Sequence, residues 1–260
     1  MNTKETHDVW NRIARWWDNE IGEGNDFQKT LIMPATDRLL EPKPGQTILD
    51  IACGNGNYAR QMAQTGACVI ACDFSDEFLQ CARQRTRPEH GRIEYVRIDA
   101  TDSAQLLSLG ESRFDSAVSS MALMDMPTIE PLFSSLKKLL KPSGRFVFSL
   151  PHPCFNSNQS KMTAELINES GQTEQRFGVA IHKYLNVPPN LSSGIINQPE
   201  PHPIFHRPLS EIFKTCFDHG FVIDGLEEPA FPEISSSKNT FSWMRRPQIP
   251  PAIVIRATRT

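Results

Sequence analysis

One apolar run that ends in an acidic residue and two glycines constrains this chain more than any other segment. It reads Ile-Leu-Asp-Ile-Ala-Cys-Gly-Asn-Gly at residues 48–56. The apolar residues predict a buried strand, and the glycines predict a turn where bare backbone approaches a small ligand. A second acidic strand end, Val-Ile-Ala-Cys-Asp, follows at residues 69–73, where a carboxylate can hold two ribose hydroxyls. Together the two segments predict a nucleoside-cofactor site at the end of a parallel sheet.

Short apolar runs alternate with longer amphipathic runs between residues 45 and 150. Five strands are predicted, at Thr47–Ala52, Cys68–Asp73, Ile93–Ile98, Phe114–Ser119 and Arg145–Leu150. Four helices are predicted between them, at Asn57–Gln64, Ser75–Arg85, Asp102–Leu109 and Thr128–Leu140. This alternation predicts parallel strands joined by right-handed crossovers, and therefore an α/β fold with a doubly wound sheet.

The flanks of this core differ from it in composition. Residues 1–44 are predicted to form a helical cap, and residues 151–208 carry eight of the prolines. Because proline removes hydrogen-bond donors and blocks helix interiors, the second flank is predicted not to be a regular core layer, but a substrate lid or a partly mobile loop. In residues 209–260 the alternation of helices and strands returns, with a predicted helix and a pair of strands. The whole chain is therefore interpreted as a single domain whose cofactor-binding core spans residues 45–150.

Composition excludes several classes of protein. With 260 residues, 39% of them hydrophobic, and a net charge of -3, the chain fits one globular domain and gives no reason to expect a nucleic acid or an anionic membrane as partner. Six scattered cysteines without a Cys-x-x-Cys pair predict reduced thiols. Neither a signal peptide nor an apolar run of membrane-spanning length is evident, which predicts a cytoplasmic protein.

The glycine turn alone does not decide which nucleoside cofactor binds. Gly54, Gly56 and Ala59 also satisfy the G-x-G-x-x-A dinucleotide fingerprint, so an NAD(P)-dependent oxidoreductase stays open as an alternative. Three features favour another cofactor. Asp50 precedes the turn, Asp99 ends the third predicted strand, and no second nucleotide-binding half follows.

These motifs resemble those of class I S-adenosylmethionine-dependent methyltransferases, in particular the bacterial enzymes that act on small molecules. Five elements occur in the family's order, at residues 50–56, 72–75, 99–100, 114–121 and 139–145. The resemblance implies a Rossmann-like, seven-stranded mixed sheet whose last strand is antiparallel. It also implies S-adenosylmethionine as cofactor and methyl transfer as activity.

The resemblance assigns cofactor contacts to twelve residues. Asp50 and the backbone of the glycine turn would face the amino-acid and sulfonium parts, Asp73 the ribose, Phe74 and Asp99 the adenine. The complete set is Trp17, Asp50, Cys53, Gly54, Asn55, Gly56, Asp73, Phe74, Asp99, Ala100, Ser120 and Met121. Trp17, with Trp16 and Phe27, either closes over the cofactor or fixes the cap to the core.

Methyl transfer by in-line displacement needs a general base only where the acceptor must lose a proton. His152, just past the fifth predicted strand, is the best candidate for this catalytic role; a structural histidine held between Pro151 and Pro153 is the alternative. His202 and His206 have helical ligand spacing, but the prolines around them oppose a helix. No metal site is therefore predicted.

The segment after the fourth predicted strand bears on the methyl acceptor. Residues 119–127 are rich in methionine and lack the Asn/Asp-Pro-Pro-aromatic signature of enzymes that methylate amino groups of nucleic-acid bases. The sequence therefore predicts a small-molecule acceptor, methylated at O, N or C, for a monomer or homodimer. A non-catalytic S-adenosylmethionine-binding regulator is a further alternative.

Overall fold

A computed structural model describes residues 1–169, 171–232 and 239–260. Its strands are β1 (Thr47–Ile51), β2 (Cys68–Asp73), β3 (Arg92–Arg97), β4 (Phe114–Ser120), β5 (Leu140–Pro151), β6 (Ser160–Glu169), β7 (Gln172–Ile181), β8 (Asn190–Ser192), β9 (His202–Ile204), β10 (Phe221–Glu227) and β11 (Ala252–Arg259). Its α-helices are α1 (Thr3–Ile21), α2 (Met33–Leu40), α3 (Asn57–Gln64), α4 (Asp76–Arg85), α5 (Ser103–Leu107), α6 (Glu130–Leu139) and α7 (Leu209–Asp218). No helix among these described residues has the length and apolarity to cross a bilayer.

Seven strands form one mixed sheet in the order β10-β11-β5-β4-β1-β2-β3. The strands from β5 to β3 run parallel, and β11 runs antiparallel to both of its neighbours. Asp50 on the central strand β1 pairs with Ala71 on one side and Val118 on the other. The predicted Rossmann-like α/β fold, including the antiparallel last strand, is confirmed.

Both faces of this sheet are covered, which explains why its central strands are apolar throughout. Along β5, Phe146 and Phe148 point to a cluster that includes Phe133 of α6, whereas Val147 points to a second cluster with residues of α2 and α3. The alternation follows from the two-residue period of a strand. Two cores on opposite faces hold the sheet edge rigid where the carboxyl ends of the strands meet.

Most predicted boundaries agree with the structure to within two residues, but β5 begins five residues earlier than predicted. It starts at Leu140, which pairs with Phe114, directly after α6 ends. The register shifts beyond this pair, and Ser143 takes a left-handed φ of 60°. A bulge therefore absorbs the residues expected to separate helix and strand.

Residues 151–208 contain more regular structure than predicted. Strands β6 and β7 form a long antiparallel hairpin, closed at its base by the pair Ser160 and Ile181, and β8 pairs with β9. No proline lies between residues 154 and 187, so nothing interrupts the β6–β7 ladder. No strand was predicted in this segment, because the prolines at its two ends suggested the same composition for the whole of it.

The N-terminal cap is helical, as predicted, and lies against α4. Helix α1 starts with a capping box between Asn2 and Glu5, which satisfies its first backbone donors. Near its other end, Asp18 accepts hydrogen bonds from Arg85 and from Asn55 Nδ2. These bonds place α1 across the carboxyl end of the sheet.

Candidate functional site

A cavity of about 550 Å³ opens at the carboxyl ends of β1, β2 and β4, between the sheet, α1 and the β8–β9 segment. Eleven of the thirteen predicted site residues line it. They are Trp17, Asp50, Cys53, Gly54, Asn55, Asp73, Phe74, Asp99, Ala100, Ser120 and Met121. Gly56 and His152 lie outside the lining. The sheet therefore brings together at one edge residues that are widely spaced in the sequence.

The two glycines of the first turn have different roles. Both adopt left-handed φ values, +54° at Gly54 and +71° at Gly56. A Cβ added at Gly54 would come no closer than 4.0 Å to Phe78, whereas one at Gly56 would lie 2.4 Å from the hydroxyl of Tyr95. Gly54 therefore leaves its backbone open to the cavity, and Gly56 is required for packing at the start of α3.

Asp73 is held by backbone donors on both carboxylate oxygens. Gly54 N–H donates to Oδ2 and Ser75 N–H donates to Oδ1, each at 2.9 Å. Burial raises the pKa of Asp73 to about 6, against the lowering effect of these N–H groups. A carboxylate offers about four acceptor positions, so this fixed side chain can still accept two hydroxyl groups from a ligand.

Asp50 is buried, and its Oδ2 has no hydrogen-bond partner. Burial, together with the charge of Asp73, raises the pKa of Asp50 to about 8. An unpaired acceptor in a buried site is costly, and a positive group placed beside it would remove that cost and lower the pKa again. The site therefore fits a cationic ligand such as a sulfonium or an ammonium group.

The third carboxylate, Asp99, lies beside an aromatic pair. Its Oδ1 accepts hydrogen bonds from Thr101 N–H and Oγ1 at 2.8 and 2.7 Å, and its Oδ2 lies 3.4 Å from His7 Nε2. The His7 ring stacks on Phe74 with its centroid 3.9 Å away. The two residues predicted to hold adenine are thus adjacent, and His7 of α1 covers both.

Sequence reasoning missed His7 and Trp10, although a signal was present. With Trp17 they follow a spacing of three and seven residues, which places them on one face of a helix. All three line the cavity. Trp17 packs 5.3 Å from Trp10, and its indole N–H is buried without a partner. The cap therefore supplies one wall of the site.

Asn55 contacts the cap with its side chain. Its Nδ2 donates to Asp18 Oδ1 at 3.0 Å and to the carbonyl of Gly22 at 2.9 Å, while its Oδ1 accepts from Asn57 N–H. Although Asn55 lines the cavity, this amide is occupied in joining the glycine turn to α1. Its position therefore couples the cap to the first turn.

His152 lies outside the cavity lining, so the structure does not bring this predicted base together with the other predicted site residues. Its ring is buried, Nε2 lies 2.8 Å from Glu228 Oε1, and Nδ1 accepts from Cys154 N–H at 3.2 Å. Burial lowers the pKa of His152, against the raising effect of Glu228. With both ring nitrogens engaged, His152 holds the chain after β5, which is the structural alternative that the two prolines suggested.

Part of the cavity lining is apolar. Trp10, Met124 and Met126 belong to it, together with a polar pair, the half-buried Asp125 and the buried His202. Asp125 Oδ1 lies 3.5 Å from His202 Nε2. Across residues 1–169, 171–232 and 239–260, no group of three or more His, Cys, Asp and Glu side chains is arranged to hold a metal ion.

Comparisons with known proteins agree with this geometry. The model of a methyltransferase domain family matches residues 49–148. Over 134 residues the chain is 37% identical to a demethylmenaquinone methyltransferase of Clavibacter sepedonicus, covering 50% of this chain and 51% of that protein. Residues 49–148 therefore form a methyltransferase domain, of the class I S-adenosylmethionine-dependent type that the motifs predicted. The predicted family and its class of cofactor are therefore confirmed.

Two further similarities show how much of each protein the likeness covers. Over 149 residues the methyltransferase chain is 27% identical to a ubiquinone biosynthesis O-methyltransferase of Vibrio atlanticus, covering 55% of this chain and 60% of that protein. A solved S-adenosylmethionine-dependent methyltransferase from Mesorhizobium loti shares its fold, with a TM-score of 0.65 and 24% identity over 87% of this chain and 96% of that one. The chain thus spans about half to three fifths of these curated relatives' length.

Proposed function

We propose that this protein transfers a methyl group from S-adenosylmethionine to a small aromatic acceptor that binds in the same cavity. The observation that carries the proposal is the convergence of Asp50, Asp73 and Asp99 beside the Gly54 backbone in one cavity. The unpartnered Asp50 in particular demands a positive partner. Neither a dinucleotide site nor a simple structural turn needs the unpaired carboxylate of Asp50.

Each cofactor role follows from the contacts that the side chain already has. Asp73, fixed by two N–H groups, would accept the ribose hydroxyls. Phe74 and Asp99, with the N–H of Ala100, would hold the adenine, and Asp50 would face the positive end. When bound, the cofactor supplies a methyl group activated on a cationic sulfur. Ser120 and Met121, just past β4, would border that methyl group.

The class of acceptor is inferred from the apolar part of the cavity lining. Trp10, Met124 and Met126 form an apolar surface, and methionine adapts to flat, irregular apolar ligands. A cavity of about 550 Å³ is in the range of small-molecule sites. The two curated relatives are named for demethylmenaquinone and ubiquinone biosynthesis, which supports an acceptor with a quinone-like or hydroxylated aromatic ring.

The organisation of the chain is part of this proposal. We take residues 1–260 as a single domain, in which residues 1–44 and the 151–208 segment cover the acceptor. Contacts of both regions with the cavity support this division, because Trp10 and Trp17 come from the first and His202 and Ile204 from the second. We propose a cytoplasmic monomer or homodimer without a nucleic-acid partner, in line with the near-neutral charge.

Calorimetric titration with S-adenosylhomocysteine tests the proposal. The native protein should bind one equivalent, and Asp73→Ala should weaken binding at least tenfold, since hydrogen bonds to a charged group contribute about 1.5–3 kcal/mol. Asp218→Ala, on exposed α7, is the matched control and should bind normally. If the native protein binds neither S-adenosylmethionine nor S-adenosylhomocysteine, the proposal fails.

Turnover is then measured as S-adenosylhomocysteine released in the presence of reduced menadione, catechol, or a small-molecule extract. Release that depends on the added acceptor supports the enzyme. Tight cofactor binding without release in any of these mixtures would favour the non-catalytic, regulatory alternative.

A further inference from the structure

Asp125 has no role among the cofactor contacts proposed for Asp50, Asp73 and Asp99. It ends the turn after β4, lines the cavity, and has a buried Oδ1 with no hydrogen-bond partner. Arg207 holds this same turn, but it donates to the backbone carbonyls of Leu123, Met126 and Pro127 and not to the carboxylate. The acid is therefore left without a cation, facing the space proposed for the acceptor.

Its nearest polar neighbour is His202 on β9, whose Nε2 lies 3.5 Å from Asp125 Oδ1. His202 is buried and packs 4.5 Å from the Trp10 ring. Burial lowers the pKa of His202 to about 4, so the ring is neutral at physiological pH and carries only one N–H.

The hydrogen bonds of Gln198 determine which nitrogen carries that proton. Its Oε1 accepts from Gly194 N–H at 2.9 Å, and its Nε2 donates to the carbonyl of Glu200, so the amide cannot be turned around. The same Nε2 lies 2.9 Å from His202 Nδ1, which must therefore be an acceptor. The proton of the neutral ring is then on Nε2, directed towards Asp125.

Other ionisable groups face the cavity from every neighbouring element. They are His7 of α1, Asp50 of β1, Cys53 and Tyr58 near the first turn, Asp73 of β2 and Asp99 after β3. The three carboxylates have assigned cofactor roles, and His7 contacts Asp99. Asp125 is the remaining acid of the lining, and His202 Nε2 lies 3.5 Å from its Oδ1, close to hydrogen-bond contact but not within it.

We propose that Asp125 is the general base that removes a proton from the methyl acceptor, and that His202 is a positioning residue that orients the Asp125 carboxylate through Nε2–H. This inference rests on the proposed function and deepens it. An acceptor that needs a base must carry a removable proton, so the substrate class is a phenol-like or quinol-like hydroxyl on an aromatic ring.

Atoms and charges balance in this step. The hydroxyl proton moves to an Asp125 oxygen, and the electron pair left on the acceptor oxygen forms the new O–CH₃ bond. The electron pair of the broken CH₃–S bond stays on sulfur, which becomes neutral. The acid form of Asp125 then returns its proton to water when the products leave.

Binding of 4-nitrophenol tests the base without turnover, because its ionised and neutral forms absorb at different wavelengths. The protein is first saturated with sinefungin, an unreactive analogue with an amine in place of the methylated sulfur. At pH 7 the native complex should hold at least tenfold less of its bound nitrophenol as the anion than Asp125→Asn does, because an ionised carboxylate beside the hydroxyl disfavours a second negative charge. Sinefungin affinity and far-ultraviolet circular dichroism confirm that the variant is folded.

Turnover with an acceptor that passes the release assay gives the second readout. Asp125→Asn should lower kcat about 100-fold or more, the range of general-base contributions, with little change in the KM for S-adenosylmethionine, and the rise of kcat with pH should disappear. His202→Gln retains an N–H donor and should stay within tenfold of the native protein. His202→Leu should approach Asp125→Asn.

The outcomes distinguish a failure of the base assignment from a failure of the proposed function. If sinefungin binds but nitrophenol ionises equally in the native protein and Asp125→Asn, or in neither, the base assignment is overturned. Equal losses in His202→Gln and His202→Leu would overturn the positioning role. Failure of the native protein to bind sinefungin would instead overturn the proposed function.

Discussion

The two sides of the cavity are built in opposite ways. On the cofactor side, Asp50, Asp73 and Asp99 each lie at or just past the end of a strand, and the parallel sheet brings them together. On the acceptor side, Trp10, Asp125 and His202 come from α1, the turn after β4 and the 151–208 segment. The first side is therefore determined by local motifs, and the second by long-range packing.

This difference determines what substitutions can reveal. A change on the cofactor side disturbs backbone that belongs to the core, so it should affect stability and cofactor binding together. A change on the acceptor side, or beyond the cavity, should separate the two properties.

The largest effect is expected at Gly56. Gly56→Ala should lower the free energy of unfolding by about 2–5 kcal/mol, because left-handed backbone costs about 1–2 kcal/mol and the collision with Tyr95 adds an overpacking cost of about 1–3 kcal/mol. Chemical denaturation measures the loss. Gly54→Ala is the matched control, since its φ is similar but its Cβ meets only Phe78 at 4.0 Å.

Gly54→Ala should therefore lose only the backbone contribution, about 1–2 kcal/mol. Equal losses at the two glycines would show that Tyr95 moves aside freely, and would remove the packing argument for Gly56.

His152→Ala should lower stability by about 1–3 kcal/mol, because the half-buried Cys154 N–H loses its acceptor and Glu228 loses its partner. Affinity for S-adenosylhomocysteine and kcat should stay within twofold of the native values. His182→Ala, exposed in the same segment, is the control for stability. A large fall in kcat at unchanged stability would restore His152 as a catalytic candidate.

The pH dependence of stability tests the burial of Asp50. Unfolded Asp50 releases its proton near pH 4, whereas the folded protein holds it to about pH 8. The folded state thus binds more protons between these values, and this group makes the protein less stable as pH rises. Asp50→Asn should remove that contribution, so its stability relative to the native protein should increase by at least about 1 kcal/mol from pH 4.5 to 8.

Urea denaturation of the two ligand-free proteins at both pH values gives the comparison. A difference that does not change with pH would mean that Asp50 is ionised in the folded protein or reached by water.

The smallest effect is expected from the β6–β7 hairpin. Its first residue pair, Ser160 and Ile181, allows residues 161–180 to be replaced by a short Gly-Ser turn, and none of the described residues in that range lines the cavity. Affinity for S-adenosylhomocysteine should therefore change less than threefold by calorimetry. A tenfold loss would mean that the hairpin shapes the cofactor side as well.

The same contrast explains how far the sequence could predict the molecule. The spacing of apolar residues, the glycine turns and the acidic strand ends are local signals. The central sheet and eleven cavity residues were therefore predicted. The hairpin was missed because prolines at both ends of the 151–208 segment concealed a proline-free interior. Asp125 was missed and His202 set aside because their meeting depends on packing between segments 77 residues apart. The position of His152 outside the cavity lining was not predicted for a related reason: a place just after a strand does not specify side-chain direction.

The placement of α1 also affects the timing of ligand exchange. Asp18 is bound at one end of the helix by charge-assisted hydrogen bonds from Arg85, while near the other end His7 rests on Phe74 through stacked rings. Because the charged bonds are the stronger contact, we expect the first two helical turns to loosen before the last ones when a bulky molecule passes this wall. We then expect the rate of ligand exchange by that route to respond to solvent viscosity.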